Sequence, residues 1–197
     1  DSRDILTIKG LIRRGEARTA SSYNNIPLDR VHFLDLPFYE TGKIQKNPIS
    51  EADVEIVRNL LREVKPHQIF VAGDLADPHG THRVCTDAVF AAVDLEKEEG
   101  AKWLKDCRIW MYRGAWAEWE IENIEMAVPI SPEELRAKRN SILKHQSQME
   151  SAPFLGNDER LFWQRSEDRN RGTATLYDQL GLASYEAMEA FVEYIPL

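Results

Sequence analysis

The sequence has few cysteines, no long apolar run and no excess of positive charge. Its 197 residues include two cysteines, Cys85 and Cys107, which are too few for a disulfide framework or a cysteine zinc site. No apolar run approaches the roughly twenty residues that a membrane-spanning helix needs. The net charge of −8 argues against broad binding to nucleic acid or to an anionic membrane surface, since both require a basic face. What remains is one domain of ordinary size, and its free cysteines predict a cytoplasmic protein.

Apolar residues recur with helical and strand periods in alternation over the first 150 residues. The predicted helices cover residues 4–22, 51–65, 82–99 and 132–149. The predicted strands cover residues 29–36, 67–72, 107–113 and 124–130. Such an alternation is typical of an α/β domain in which helices cover a mostly parallel sheet.

The last quarter of the chain has a different pattern of charged and apolar residues, so we divide the sequence into residues 1–150 and residues 151–197. Charges of both signs alternate from Ser151 onward and predict a solvated, irregular segment. Ser184 is then a good N-cap for an amphipathic helix whose apolar side includes Met188 and Phe191. That helix must bury its apolar side against the same domain or against a neighbour.

Two histidines and two carboxylates stand between the strand predicted at residues 67–72 and the helix that follows it. They are Asp74, Asp77, His79 and His82. Ligands of open α/β sheets bind at the carboxyl ends of strands, and the positive end of a helix dipole favours the neutral imidazole that can ligate a metal. The alternative is a polar loop that caps the helix with solvated histidines. The residues alone leave both interpretations open.

Four runs of residues resemble, in the same order, motifs of the LmbE/PIG-L family of zinc-dependent N-deacetylases. They are Arg13-Arg-Gly-Glu-Ala-Arg18, Phe33-Leu-Asp-Leu-Pro37, Asp77-Pro-His-Gly-Thr-His-Arg83 and the segment from Lys138 to Gln148. The resemblance covers roughly residues 10–150 and implies a three-layer, Rossmann-like, mostly parallel sheet with helices on both faces.

The resemblance also implies a zinc hydrolase of N-acetylated amino sugars, in which the metal polarises the acetyl carbonyl and activates water. His82 is then the zinc ligand, His79 donates to the developing oxyanion, and Asp77 orients one of the two rings. The residues implied to contact the sugar are Tyr39, Trp116 and His145. Each of these three has an ordinary alternative: an aromatic turn, hydrophobic cover for a sheet edge and a histidine at the edge of the core, respectively.

One motif of the family has no counterpart in this sequence. The family's first signature, which supplies two zinc ligands and the catalytic base, is absent, so we expect the first strand and loop to be missing and zinc binding by this chain alone to be weak or absent. The chain resembles in particular the LmbE-like extension of large glucosamine-6-phosphate deaminase homologues of Bacteroides-type bacteria. That subgroup implies amino-sugar metabolism, with a non-catalytic auxiliary domain as the alternative, packed against other domains or in a homo-oligomer.

Overall fold

The computed structural model of the protein describes residues 2–39, 47–73, 80–115, 117–149 and 159–196. It confirms the predicted α/β, Rossmann-like class, with a four-stranded sheet flanked by helices. The helices are α1 Arg3–Tyr23, α2 Glu51–Val64, α3 Thr81–Glu98, α4 Pro132–Ile142, α5 Gln146–Met149 and α6 Phe162–Gln179. The strands are β1 Gln68–Ala72, β2 Arg108–Tyr112, β3 Met126–Ile130 and β4 Ala187–Tyr194. Short 3-10 turns lie at Leu28–Arg30, Lys102–Asp106 and Ile121–Asn123.

The sheet is mixed, with strand order β1–β2–β4–β3. Strands β1 and β2 are parallel, with Phe70 opposite Trp110. Strand β4 pairs antiparallel to β2, with Tyr112 opposite Phe191. A β1–α3–β2 connection of this kind places a helix between two parallel neighbours, which is the unit from which Rossmann-like sheets are built.

The chain divides into two compact units that do not follow the order of the sequence. Unit I comprises Asp1–Phe33, Ala115–Glu118 and Ala127–Ala190. Unit II comprises Leu34–Gly114, Trp119–Met126 and Phe191–Leu197. Strand β4 contributes its first half to unit I and its second half to unit II. The predicted division at residue 150 stays a prediction.

The hydrophobic core of unit II lies between helices α2 and α3 and strands β1 and β2. It is made by branched and small side chains at helical and strand spacing: Val54, Val57, Leu61, Val71, Ala88, Ala92, Val93 and Ile109. Helix α2 begins as predicted, because Ser50 and Asp53 form a reciprocal capping box. The carboxylate of Asp53 is fully buried and also accepts a hydrogen bond of 2.8 Å from the backbone N–H of Phe38.

The prediction for residues 162–179 is wrong, because the structure has helix α6 there instead of an irregular segment. Its buried face is largely polar, so the sequence has no apolar stripe from which this helix could be predicted. The buried polar residues of α6 are Ser166, Glu167, Arg169, Asn170 and Thr173. Burial of such groups is tolerated where they find partners, and the partners of Glu167, Arg169 and Asn170 come from distant parts of the chain.

The predicted C-terminal helix is also wrong, because residues 187–194 form strand β4. This strand lies between β2 and β3. A strand inside a sheet has neighbours on both edges and cover on its faces, so its sequence does not alternate cleanly. The apolar residues of β4 therefore satisfy a helical period as well as a strand period.

Two further predictions about secondary structure need correction. Residues 29–36 are not a strand: a 3-10 turn covers Leu28–Arg30, residues 31–36 have no ladder, and Asp35 has a positive φ of 51°. The helix predicted to run to residue 149 ends at Ile142, and the short α5 follows. Within the described residues, no helix is both long enough and apolar enough to cross a membrane.

Candidate functional site

Strand β1 ends in unit II against an aromatic ring. The backbone N–H of Gly73 donates to the carbonyl of Tyr112 at 2.8 Å, which extends the β1–β2 ladder by one residue. A Cβ atom on Gly73 would lie 2.6 Å from Cζ2 of Trp119 and 2.8 Å from Cβ of Met111. The guanidinium of Arg113 lies 3.9 Å from the centroid of the same Trp119 ring. Only glycine fits at this exit from the sheet.

Helix α3 begins just beyond this strand end. Gly80 is its N-cap residue, with a φ of 66° in the left-handed region that favours glycine. The hydroxyl of Thr86, in the second turn of the helix, donates to the carbonyl of Ala72 at 2.7 Å. This bond ties the start of α3 to the carboxyl end of β1, where Rossmann-like folds bind ligands.

His82 is the second residue of α3, in the first helical turn, as the sequence predicts. Its side chain is exposed. The other two residues of the predicted chemistry, Asp77 and His79, lie outside the described residues. Within the parts of the chain that the structure describes, no three histidine, cysteine, aspartate or glutamate side chains are grouped so that they could hold a metal ion.

The predicted sugar-contacting residues have separate surroundings. Tyr39 is exposed in unit II and packs edge-on against the buried ring of Phe38, with 6.3 Å between the ring centroids. Trp116 lies outside the described residues. His145 is half-buried in unit I, between α4 and α5, where it lines a cavity of about 520 Å³.

The cavity beside His145 is formed in unit I by α4 and the end of α1. Its polar lining residues are Asn24, Glu134, Lys138, Ser141 and His145. Two apolar residues of α4, Ala137 and Ile142, complete it. The amide nitrogen of Asn24 donates to the hydroxyl oxygen of Ser141 at 2.5 Å, so the two elements meet through a direct hydrogen bond.

Two of the family-like motifs contact each other beside this cavity. Both carboxylate oxygens of Glu16 accept hydrogen bonds of 2.6 Å from Ser147, one from its backbone N–H and one from its hydroxyl. The hydrogen-bond network orients the amide oxygen of Gln148 toward Nε of Arg13 at 2.9 Å. These bonds hold the four-residue helix α5 against α1 and thereby fix the position of His145.

The pKa of Glu16 reflects this arrangement. Burial alone raises the pKa of Glu16, but the two hydrogen bonds from Ser147 and the charges of His145 and Arg13 outweigh it. The net result is a pKa below the ordinary value of a glutamate, so the carboxylate stays ionised at neutral pH and keeps both of its bonds.

Lys138 is held at the cavity by a network of ion pairs between α4, α6 and β4. Its ammonium donates to the side-chain oxygen of Asn170 at 2.7 Å and to Glu189 at 2.6 Å. Glu189 also pairs with Arg169, whose other arm donates to Glu118 at 2.7 Å. This network thus contains two cations and two anions, all of them largely buried.

Burial shifts the pKa values of Lys138 and Glu189 in opposite directions. Burial lowers the pKa of Lys138, while the neighbouring carboxylate of Glu189 partly opposes that shift. For Glu189, burial raises the pKa, but Arg169 and Lys138 together outweigh it and hold the pKa below its ordinary value. Glu189 therefore carries a charge at neutral pH that its two cationic partners require.

Sequence reasoning did not identify this network. Arg169 and Asn170 belong to a segment whose charges alternate, which predicts exposure. The one available signal was that Ser166, Asn170 and Thr173 share a helical face of small polar residues, but such a face indicates burial only once a partner surface is known.

Comparison with known proteins identifies the fold. No family model matches the sequence. The conserved protein TT1542 from Thermus thermophilus has a similar structure, with a TM-score of 0.58 and 19% identity over 94% of this chain and 74% of that chain. A deacetylase of the teicoplanin biosynthesis pathway, solved as a complex with bog, is similar with a TM-score of 0.54 and 17% identity, over 93% of this chain and 73% of its own.

The chain has a deacetylase-like fold. At this level of identity the similarity concerns the course of the backbone, whereas chemistry depends on particular side chains.

Proposed function

We propose that this chain is part of a metal-dependent, N-deacetylase-type hydrolase that acts on an N-acetylated amino sugar. The observation that carries the proposal is the position of His82. It lies in the first turn of α3, beyond the carboxyl end of β1, in a fold similar to that of a deacetylase. Imidazole is the commonest side-chain ligand of metal ions in proteins.

In this proposal His82 is a zinc ligand, His79 donates to the oxyanion and Asp77 orients a ring. Tyr39, Trp116 and His145 are proposed to contact the sugar. The described residues do not complete a zinc site by themselves, because they group no three suitable side chains and a catalytic zinc takes three protein ligands. The proposal therefore requires further ligands from outside the described residues.

The amino-sugar substrate and the context of a glucosamine-6-phosphate isomerase/deaminase-related parent protein are also proposals. Their support is the resemblance of four sequence motifs. Two of these motifs, around Glu16 and Ser147, contact each other in unit I. Motifs that depend on each other physically are stronger support than the same motifs standing apart in the sequence.

A substitution of His82 in the complete protein tests the proposal. We expect His82→Ala to lower the amount of bound zinc and to reduce the rate of amine release from N-acetylglucosamine. Loss of a residue that is hydrogen-bonded to a metal ligand costs roughly 10–100-fold in activity, and loss of the ligand itself should cost more. His67→Ala is the matched control, because His67 is also exposed but precedes β1 at its opposite end. Equal zinc content and activity in both variants would contradict the proposal.

The second candidate function is a non-catalytic auxiliary domain of the same parent protein. Gly80 and Thr81 favour it, because they stand between the two histidines where the family's signature has a different pair. Under this alternative, His82→Ala leaves metal content and deacetylation unchanged, whereas removal of the domain alters assembly of the parent protein. Gel filtration of the complete and shortened proteins separates the two functions.

A further inference from the structure

The cavity of unit I presents hydrogen-bonding groups that the fold leaves unused. An ammonium has three donors, and Lys138 spends two of them on Asn170 and Glu189. Among the described residues, the ring of His145 makes no hydrogen bond, although it contributes to the lowered pKa of Glu16. Lys138 and His145 therefore each offer a donor to a molecule in the cavity.

Acceptors stand beside these donors. The amide nitrogen of Asn24 is engaged with Ala20 and Ser141, which leaves its amide oxygen as an acceptor. Ser141 accepts that bond and keeps its own O–H. Glu134 accepts hydrogen bonds from Ser131, but a carboxylate has about four acceptor positions, so capacity remains. Donors and acceptors thus line the same cavity, which suits a ligand with several hydroxyl groups.

The carboxylate of Glu134 makes the cavity better suited to a cationic group than to an anion. The cation of Lys138 is balanced by Glu189 within the buried network, so it does not create a free positive site. The capping bond from the backbone of Ser131 lowers the pKa of Glu134, so this carboxylate is ionised at neutral pH. A phosphate or carboxylate ligand would meet the charge of Glu134, whereas an ammonium group would be attracted by it.

The size and the apolar lining are also suited to a sugar ring. A volume of about 520 Å³ lies within the range of roughly 300–1,000 Å³ that is usual for small-ligand sites. Ala137 and Ile142 supply apolar surface for the C–H groups of such a ring. Because Ala137 lies three residues after Glu134 on the same helix, one ligand can reach both the apolar surface and the carboxylate.

We infer that this cavity binds an aminated monosaccharide, with its ammonium group on Glu134 and its hydroxyl groups on Asn24, Lys138, Ser141 and His145. The inference rests on the proposed function in one respect, since the free amine is the product of the proposed deacetylation. The hydrogen-bonding and charge arguments use only residues of unit I.

Equilibrium binding to the full chain tests the inference without turnover. The probes are glucosamine, glucose, N-acetylglucosamine and inorganic phosphate, titrated at constant ionic strength and followed by the amide resonances of α4. We expect glucosamine to bind about tenfold more tightly than glucose or N-acetylglucosamine, which is the effect of one charge-assisted hydrogen bond. Phosphate is expected to bind more weakly than any of the sugars.

Glu134→Gln is the decisive variant, because glutamine can keep the capping bond to Ser131 while the charge is removed. We expect it to lose the preference for glucosamine and to keep its affinity for glucose. Glu133→Gln is the control: Glu133 lies in the same helical turn, is exposed and pairs with Arg136. His145→Gln is expected to weaken binding of all three sugars.

Equal affinity of the unaltered chain for glucosamine and glucose would overturn the inference, as would tightest binding of phosphate or an unchanged preference in Glu134→Gln. The two proposals fail separately. If deacetylation depends on His82 while the chain binds glucosamine no more tightly than glucose, only the cavity assignment is wrong. If glucosamine binds as expected while His82→Ala is fully active, only the deacetylase proposal falls.

Discussion

Gly73 is restricted both by a backbone hydrogen bond of the sheet and by the packing of a neighbouring side chain. It continues the β1–β2 ladder through its N–H, and the ring of Trp119 occupies the space that any side chain would need. This close approach comes immediately before the residues for which the sequence predicts chemistry. Its tight packing makes the end of β1 a rigid support for whatever follows it.

Replacement of Gly73 by alanine measures that packing. We expect Gly73→Ala to lower the free energy of unfolding by about 1–3 kcal/mol, the usual cost of an overpacked site, as measured by urea denaturation. Gly15→Ala is the control with the opposite sign. No atom lies within 4 Å of its added Cβ, so relief of a helical glycine should stabilise α1 by about 0.5–1 kcal/mol. Equal effects of the two substitutions would show that Trp119 does not restrict this position.

Helix α6 and strand β4 show how an element can be stabilised by charge rather than by an apolar stripe. Arg169 of α6 and Lys138 of α4 meet on Glu189, which stands in the first half of β4. Asn170 donates in addition to the backbone carbonyl of Met188 at 2.7 Å. The network therefore joins two helices and a strand, and loss of any member leaves a charge buried without its partner.

Glu189→Gln tests the network. We expect the free energy of unfolding to fall by about 3–5 kcal/mol at neutral pH, because Lys138 and Arg169 lose a shared counter-ion in a buried site. Glu193→Gln is the control on the same strand. Its partner Arg108 is largely exposed, and Nη1 of Arg108 lies 3.4 Å from Oε2 of Glu193. Exposed ion pairs of this kind contribute at most about 1 kcal/mol to stability.

The same substitution changes the dependence of stability on pH. Because the pKa of Glu189 is lower in the folded than in the unfolded protein, its contribution is complete above the unfolded pKa and is lost as the pH falls through the folded pKa. As the pH is lowered, the free energy of unfolding should therefore fall more steeply for the unaltered chain than for Glu189→Gln. Parallel curves would contradict the assignment of a charged, paired Glu189.

At the scale of the whole molecule, the chain has two compact units. His82 belongs to unit II and His145 to unit I. The proposed metal ligand and the cavity of the further inference therefore belong to different units. Each unit has its own means of stabilisation: an apolar core between α2, α3, β1 and β2 in unit II, and the ion-pair network in unit I.

A zinc titration of the 197-residue chain addresses the metal question at this scale. We expect weak binding or none, because one imidazole does not hold zinc and the sequence contains no counterpart of the family's first signature. The measurement is calorimetric titration of the chain and of His82→Ala side by side. Tight stoichiometric binding that disappears in His82→Ala would contradict the expectation and would indicate a complete site within these residues.

Local signals in the sequence were sufficient for the elements that begin with a cap or end at a turn. Ser50 and Ser131 predict the starts of α2 and α4, and capping boxes are present at both. The first turn of α3 and the position of His82 in it also followed from the sequence. These features depend on residues within three or four positions of each other, so their energetics are readable along the chain.

The cavity, the buried charges and the true nature of residues 162–194 were decided by tertiary structure alone. Arg169 is buried because Glu118 and Glu189 lie beside it, and those partners are 51 and 20 positions away in the sequence. Residues 187–194 are a strand because β2 and β3 offer edges on either side. The sequence by itself determined where α2, α3 and α4 start and which fold class results. Whether a charged residue is buried depends on partners that only folding brings together.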